Sequence, residues 1–145
     1  MSERTTRILL GVLSVVGLLL STYLTWTFLT GATPACPVDT GSAGAQGSSC
    51  AVVQSSPYAA VFGVPLTAFG VAGYAGLLLS AFVAGRSGAL TSLALGMLGI
   101  VLASYCMWQE LFVIGVLCQL CAVCAGVMAT CFVVAVVRFR VAPAK

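Results

Sequence analysis

The chain has 145 residues, 61% of them hydrophobic and only 6% charged. A soluble globule carries roughly a quarter charged residues, so this sequence cannot clothe a water-facing surface and reads as a single polytopic membrane domain spanning residues 1–145. The absence of any histidine excludes histidine acid–base catalysis, haem ligation by histidine and Cys–His zinc sites, while seven cysteines, an odd number, leave at least one thiol free in a monomer.

Arg4 and Arg7 precede a first apolar run, residues 8–30. That run is longer than the roughly 7–15 residues of a signal-peptide core. At 1.5 Å per residue it reaches roughly 34 Å, enough to cross a bilayer, and is read as an uncleaved spanning helix. Tyr23 and Trp26 fall near its end, where an aromatic belt belongs. Residues 31–49 are rich in Gly, Ser, Ala and Pro, with Pro34 and Pro37 flanking Cys36, and are expected to be irregular and mobile. From Cys50 to Pro57 a short helix along the membrane surface is expected. Residues 58–64 return the chain to the bilayer, and Gly63 and Pro65 mark a turn. A second helix is expected over 65–84, opened by a proline whose missing donor is not needed there. A tight turn at 85–88 leads to a third helix over 89–107. A short polar turn, Trp108-Gln109-Glu110, leads to a fourth over 111–137. The fold expected is an all-α, four-helix membrane bundle with one long loop between its first two helices.

With four helices, Arg4, Arg7, Arg86, Arg138, Arg140 and Lys145 all fall on one side. The positive-inside rule makes that side, with both termini, cytoplasmic. The loop holding Cys36 and Cys50 and the turn at 108–110 then face the extracytoplasmic space, where disulfides persist.

Cys118-Gln-Leu-Cys121 is a CxxC pair, which is either a zinc half-site or a redox pair. On a helix the two thiols share a face. Counted from the turn at 108–110, Cys118 would lie roughly 12 Å deep and Cys121 about 4–5 Å deeper. That depth suits a membrane-embedded quinone ring, and Cys118 is within reach of a loop cysteine. A metal site from Cys118, Cys121 and Cys124 would place three thiolates in hydrocarbon without a fourth ligand, so no metal is expected. Cys106, Cys124 and Cys131 are read as packing residues. Glu110 is expected at the solvated outer turn, where a negative charge suits the start of the last helix. Asp39 would position the loop or meet a partner. Tyr23, Phe62, Phe69, Tyr74 and Phe112 either line a pocket or simply pack. No ionisable residue falls mid-helix, which counts against a transporter of charged substrates. Nothing suggests a nucleic-acid partner, since there is no extramembrane domain and no basic field.

Four separated segments carry a resemblance: Leu20-Ser-Thr-Tyr-Leu-Thr-Trp26; Cys50 with Ser56 and Tyr58-Ala59; Phe62-Gly-Val-Pro65 with Phe69-Gly70 and Tyr74; and Glu110-Leu-Phe-Val-Ile-Gly115 leading into Cys118-Gln-Leu-Cys121. In order and spacing the chain, from about Gly11 to Val134, resembles a bacterial member of the vitamin K epoxide reductase (VKOR) family. The resemblance implies an electron path. A separate extracytoplasmic thioredoxin-like (DsbA-like) protein would reduce a Cys36–Cys50 disulfide, forming its mixed disulfide with Cys36. Cys50 would then attack the Cys118–Cys121 pair at Cys118, and Cys121 would be released beside a membrane quinone, ubiquinone or menaquinone. Ser56 would stabilise the quinone or thiolate region, or alternatively cap the helix before Pro57, and Phe62, Phe69, Tyr74 and Phe112 are the candidates for lining the quinone pocket beside it. No fused thioredoxin-like domain is expected after the last helix, and the implied location is a bacterial cytoplasmic membrane with the site facing the periplasm or cell exterior. Two other readings stand beside this one. One is a convergent DsbB-type disulfide enzyme, which usually carries its cysteine pairs in two loops. The other is a non-enzymatic four-helix protein with a structural loop disulfide. No His, Lys or Arg is near Cys121 in sequence, so its activation would fall to Ser56, to the charge-transfer partner itself, or to hydrogen-bond donors such as Gln119 or Tyr74.

Overall fold

A computed structural model of the protein describes residues 2–36 and 49–142. Most of the stretch expected to be mobile, with Pro37 and Asp39, and also Lys145, lie outside the described residues. Helix α1 runs Glu3–Thr30. It starts five residues before the apolar run because Ser2 caps it, its hydroxyl accepting from the Thr5 N–H at 3.3 Å. It ends at Gly31, whose φ of 67° is the left-handed cap that favours glycine. Helix α2, Ser49–Ser55, is followed by a 3₁₀ turn, Pro57–Ala59. Strands β1 (Ala60–Val61) and β2 (Val64–Pro65) then pair antiparallel, Ala60 with Pro65 and Val61 with Val64. The sequence did not suggest this hairpin. Its turn residues, Phe62 and Gly63, both have positive φ, 52° and 79°, as a two-residue hairpin turn requires. Helix α3 runs Leu66–Phe82, α4 runs Arg86–Trp108, and α5 runs Gln119–Val141.

The largest departure from the expected boundaries lies between α4 and α5. Residues 108–110 are not a turn. The chain continues from α4 into a π-helix, Gln109–Ile114, and turns only at Gly115, whose φ is 74°. Glu110 lends its carbonyl to the Val116 N–H at 3.1 Å to close this end. The last helix thus starts at Gln119 rather than 111. Three segments, Glu3–Thr30, Arg86–Ile114 and Gln119–Val141, are long and apolar enough to cross a membrane, and Leu66–Phe82 is a shorter apolar helix. At 17 residues α3 is roughly 25 Å long. Leu19, Leu79, Leu98 and Val101 are exposed on the outside of the bundle, as lipid-facing residues would be. The protein is an all-α, multi-pass membrane bundle apart from the small hairpin.

Each long helix packs on two others: α1 on α3 and α5, and α4 on α3 and α5. Leu10, Tyr74, Leu77, Met128, Cys131 and Val134 meet in the core. Gly17 lets α1 lie against the Tyr74 ring, since a methyl at Gly17 would collide with it. One end of the bundle is tied by polar groups. The Arg7 guanidinium donates to the carbonyls of Ala81 and Phe82 at 2.8 and 2.9 Å. The Glu3 carboxylate accepts from the Gly85 N–H at 2.8 Å. Arg138, fully buried, donates to Ser92 Oγ at 2.7 Å, to the Ser80 carbonyl at 3.0 Å and to the Val83 carbonyl. These carbonyls close α3, where a cation suits the helix dipole. All five described arginines belong to this end. The cysteine-bearing loop belongs to the other, held to α1 by Gln54, which donates to the Leu24 carbonyl at 3.1 Å and to Thr27 Oγ1 at 3.2 Å.

Candidate functional site

At the end away from the arginines, α2 brings Cys50 against the start of α5. Cys36 and Cys50 are joined as a disulfide, with an S–S distance of 1.98 Å and a Cα–Cα distance of 6.5 Å. Cys50 and Cys118 are both fully buried in one cluster with Val53, against which Cys36, Ile114, Leu120 and Cys121 pack. Four cysteines distant in sequence therefore share one apolar nest, with Cys118 and Cys121 as free thiols.

Because the chain turns at Gly115, Cys118 does not sit two turns down a helix, as the expected boundaries implied. It is the N-cap of α5, and its sulfur accepts from the Cys121 N–H at 3.3 Å. A helix N-terminus favours an anionic cap. The hydrogen bond from the Cys121 side chain and the Cys121 N–H hold the Cys118 thiol below the usual range for a cysteine, against the opposing effect of burial.

Glu110 is the residue that sequence reasoning placed wrongly. It is not solvated at a turn: it is 3% exposed, and its Oε2 accepts from the Cys118 N–H at 2.9 Å. A carboxylate oxygen of Glu110, Cys118 Sγ and Cys121 Sγ all lie within 4.8 Å of one another. The π-helix is the local cause. Its wider turn lets the consecutive residues Gln109 and Glu110 both face inward, and both are buried. The polar triplet at 108–110 was the signal, read as a turn when two of its three residues point into the protein.

Beside the thiols lies a mostly apolar cavity of about 330 Å³, the size of small-molecule sites generally. Cys121 and Cys124 line it from α5, Cys106 and Gln109 from the α4 side, and Tyr74 and Phe69 from α3. Ser56 lines it as well. Its hydroxyl donates back to the Val53 carbonyl at 2.8 Å and makes no cap bond to the turn at Pro57. Tyr74 donates to the Cys124 carbonyl at 2.7 Å. Gln109 donates from Nε2 to the Tyr105 hydroxyl at 2.7 Å, while its Oε1 is buried without a partner among the described residues. Two of the expected pocket aromatics do not line this cavity. Phe62 stands fully exposed at the hairpin tip, carried outward by the turn that no helix pattern foretold. Phe112 is 75% exposed on the outer side of the π-helix, beside Trp108 at 6.3 Å between ring centroids. Cys131 lies apart, in the core near Tyr74.

A multi-pass membrane bundle that gathers closely spaced cysteine pairs at one end, positioned for redox chemistry, defines the class of this protein. Its sequence places it more narrowly: the sequence model of the vitamin K epoxide reductase family matches residues 8–136, and the chain belongs to that oxidoreductase family. No curated protein sequence matches it.

Proposed function

We propose that the protein is a quinone-linked thiol oxidoreductase that supports disulfide formation outside the cytoplasm. The arginine end faces the cytoplasm under the positive-inside rule, so the cysteine end opens to the periplasm or cell exterior. A reduced thioredoxin-like protein attacks Cys36, and its disulfide with Cys36 forms as the Cys36–Cys50 bond breaks. Once the Cys118–Cys121 pair, free thiols here, has been oxidised to a disulfide by quinone, the freed Cys50 thiolate attacks Cys118 Sγ, so a Cys50–Cys118 bond forms as the Cys118–Cys121 bond breaks and Cys121 leaves. The partner's second thiol and then Cys36 complete the exchange, restoring Cys36–Cys50 and leaving Cys118 and Cys121 reduced. That pair then yields two electrons and two protons to a membrane quinone. Each exchange depends on the attacking thiolate and on the leaving thiol, and Cys118, at a helix N-terminus, suits both parts.

The single observation that carries this reading is the shared burial of Cys50 and Cys118 in one cluster with Cys36 and Cys121. The cavity supports the acceptor. It is apolar enough for a quinone ring, it meets Cys121, and the unpaired amide oxygen of Gln109 offers an acceptor for a hydroquinone hydroxyl. Ser56, Phe69 and Tyr74 are assigned to holding the ring. Family membership removes the need for a convergent DsbB-type origin.

The test is disulfide mapping by mass spectrometry with thiol trapping, on dithiol-reduced membranes before and after a quinone is added, for wild type and Cys121→Ala. The expected result is oxidation of the wild-type CxxC by quinone and none in the variant, and, in variant membranes left untreated with dithiol so that Cys36–Cys50 is still bonded, accumulation of Cys50–Cys118 as Cys118 displaces Cys36 from Cys50. A wild-type CxxC that stays reduced in the presence of quinone refutes the reading and leaves the loop disulfide as a structural bridge.

A further inference from the structure

The relay needs thiolates, yet the chain has no histidine and its described arginines all lie at the far end of the bundle. At the cysteine end the one formally charged side chain among the described residues is Glu110. It is buried, and its carboxylate shares a cluster within 4.8 Å with both sulfurs of the CxxC. The Cys118 N–H fixes Oε2. The π-helix, a geometry that recurs at functional sites, turns Glu110 inward at that depth.

We infer that Glu110 is the proton-transfer residue of the thiol pair, taking a proton from Cys118 or Cys121 as the pair is oxidised and returning one as it is reduced. This rests on the redox reading above. Oxidation joins Cys118 Sγ to Cys121 Sγ and removes two electrons and two protons. As the first thiol ionises, its proton moves to the Glu110 carboxylate, so the cluster holds one negative charge on sulfur in place of one on oxygen. Two negative charges side by side in an apolar site would be strongly disfavoured. As the S–S bond closes, the second thiol loses its proton and Glu110 returns to a carboxylate. The two electrons and two protons are those that convert a quinone to its hydroquinone, so the exchange balances and Glu110 ends as it began. When Cys50 opens the Cys118–Cys121 bond, the carboxylate first takes the proton of the attacking Cys50 thiol and then passes it to the electron pair left on Cys121. The titratable groups facing Glu110 are the thiols of Cys118, Cys121 and Cys106, with Cys124 a turn further along α5. None of them is a cation that would hold the carboxylate permanently charged.

The experiment compares the full-length wild type with Glu110→Gln and Glu110→Asp, purified in lipid nanodiscs and reduced. Glutamine keeps an oxygen for the Cys118 N–H and cannot serve as the base. Two rates are followed from pH 5 to 10: oxidation of the CxxC by a short-chain ubiquinone analogue, and its reaction with the small disulfide 4,4′-dithiodipyridine. The first of these is the relay's own chemistry, and the second needs only a thiolate. In Glu110→Gln both rates are expected to fall about 10²-fold or more near neutral pH, the usual worth of a positioned acid–base group. They should also rise about tenfold per pH unit until the thiols ionise unaided. Glu110→Asp should recover part of the rate and the flatter wild-type profile. Wild-type rates and profiles in Glu110→Gln would overturn the assignment. A Glu110→Gln that is slowed equally at every pH would also overturn it, by making Glu110 a purely structural support. If wild type reacts with the disulfide in a Glu110-dependent way but is not oxidised by the ubiquinone analogue, the proton-transfer role stands and the quinone reading is the one that fails.

Discussion

Adding one methyl group to α1 tests how tightly the wall of the cavity is fixed. In Gly17→Ala the new Cβ collides with the edge of the Tyr74 ring. Tyr74 has little freedom to yield. It is 2% exposed, it sits in the core with Leu10, Leu77 and Met128, and its hydroxyl is held by the Cys124 carbonyl at 2.7 Å. Overpacking a filled core costs about 1–3 kcal/mol, and surrendering the tyrosine hydrogen bond costs about 0.5–1.5 kcal/mol more. The expected loss is therefore about 2–4 kcal/mol. Gly11→Ala, on the same helix with nothing within 4 Å of its new Cβ, is the control and should cost nothing. Unfolding in mixed micelles by titration with sodium dodecyl sulfate, followed by circular dichroism, measures both. If the ring collision is the cause, Gly17→Ala adds less than about 1 kcal/mol in a Tyr74→Leu background, because coupled sites are not additive. Equal midpoints for Gly17→Ala and Gly11→Ala would refute the reasoning, since no account based on Tyr74 packing survives that result.

Arg138→Gln should destabilise the bundle by on the order of 3 kcal/mol, because hydrogen bonds to charged donors are worth about 1.5–3 kcal/mol each and this guanidinium holds Ser80, Val83 and Ser92 together; the same titration checks it. Ser56→Ala should leave stability within about 1 kcal/mol and raise the KM for the quinone analogue, since the hydroxyl lines the cavity and caps nothing; a stability loss with an unchanged KM would restore the capping role. Gln54→Ala should release α2 from Leu24 and Thr27 and slow formation of the trapped Cys50–Cys118 bond in the Cys121→Ala background, as read by timed thiol trapping. The Cys118 thiol is held low by Cys121, so its thiolate persists to lower pH than a free cysteine's. Thiolate absorbance of the reduced protein minus that of Cys118→Ala should titrate below the ordinary value of about 8.5, and should move upward when Cys121 is replaced by alanine.

Hydropathy and charge made the membrane class and the location of the spanning runs legible, because burial in lipid demands long apolar stretches regardless of detail. The four candidate cysteines could be named from motif and resemblance, and Cys36 and Cys50 are found bonded and packed on the CxxC. The link between α4 and α5 was not legible. Polarity marked 108–110 as a turn, yet Gln109 and Glu110 are polar because they face a cavity and a thiol pair. The true turn, Gly115-Val-Leu117, is apolar and leaves no trace in hydropathy except its glycine. The same error put Cys118 in mid-helix instead of at a cap. Phe62 was misjudged for a related reason: an aromatic next to Gly63 looks like a helix approach, whereas a left-handed pair of residues makes a hairpin tip. In both places one backbone conformation, set by a glycine, decided which way a side chain faces.

The π-helix at Gln109–Ile114 has a bearing on how this chain tolerates change in length. A π turn is an α turn holding one surplus residue. Deleting one residue between 109 and 114 would let the segment relax into regular α-helix while the turns on either side keep their phase, because the surplus residue is absorbed within the wide turn. This stretch behaves like a reading frame that already carries one insertion: substitutions along its outer face, at Leu111 or Phe112, leave the register intact, and the loss of a single residue changes the wide turn itself rather than the helix that leads into it.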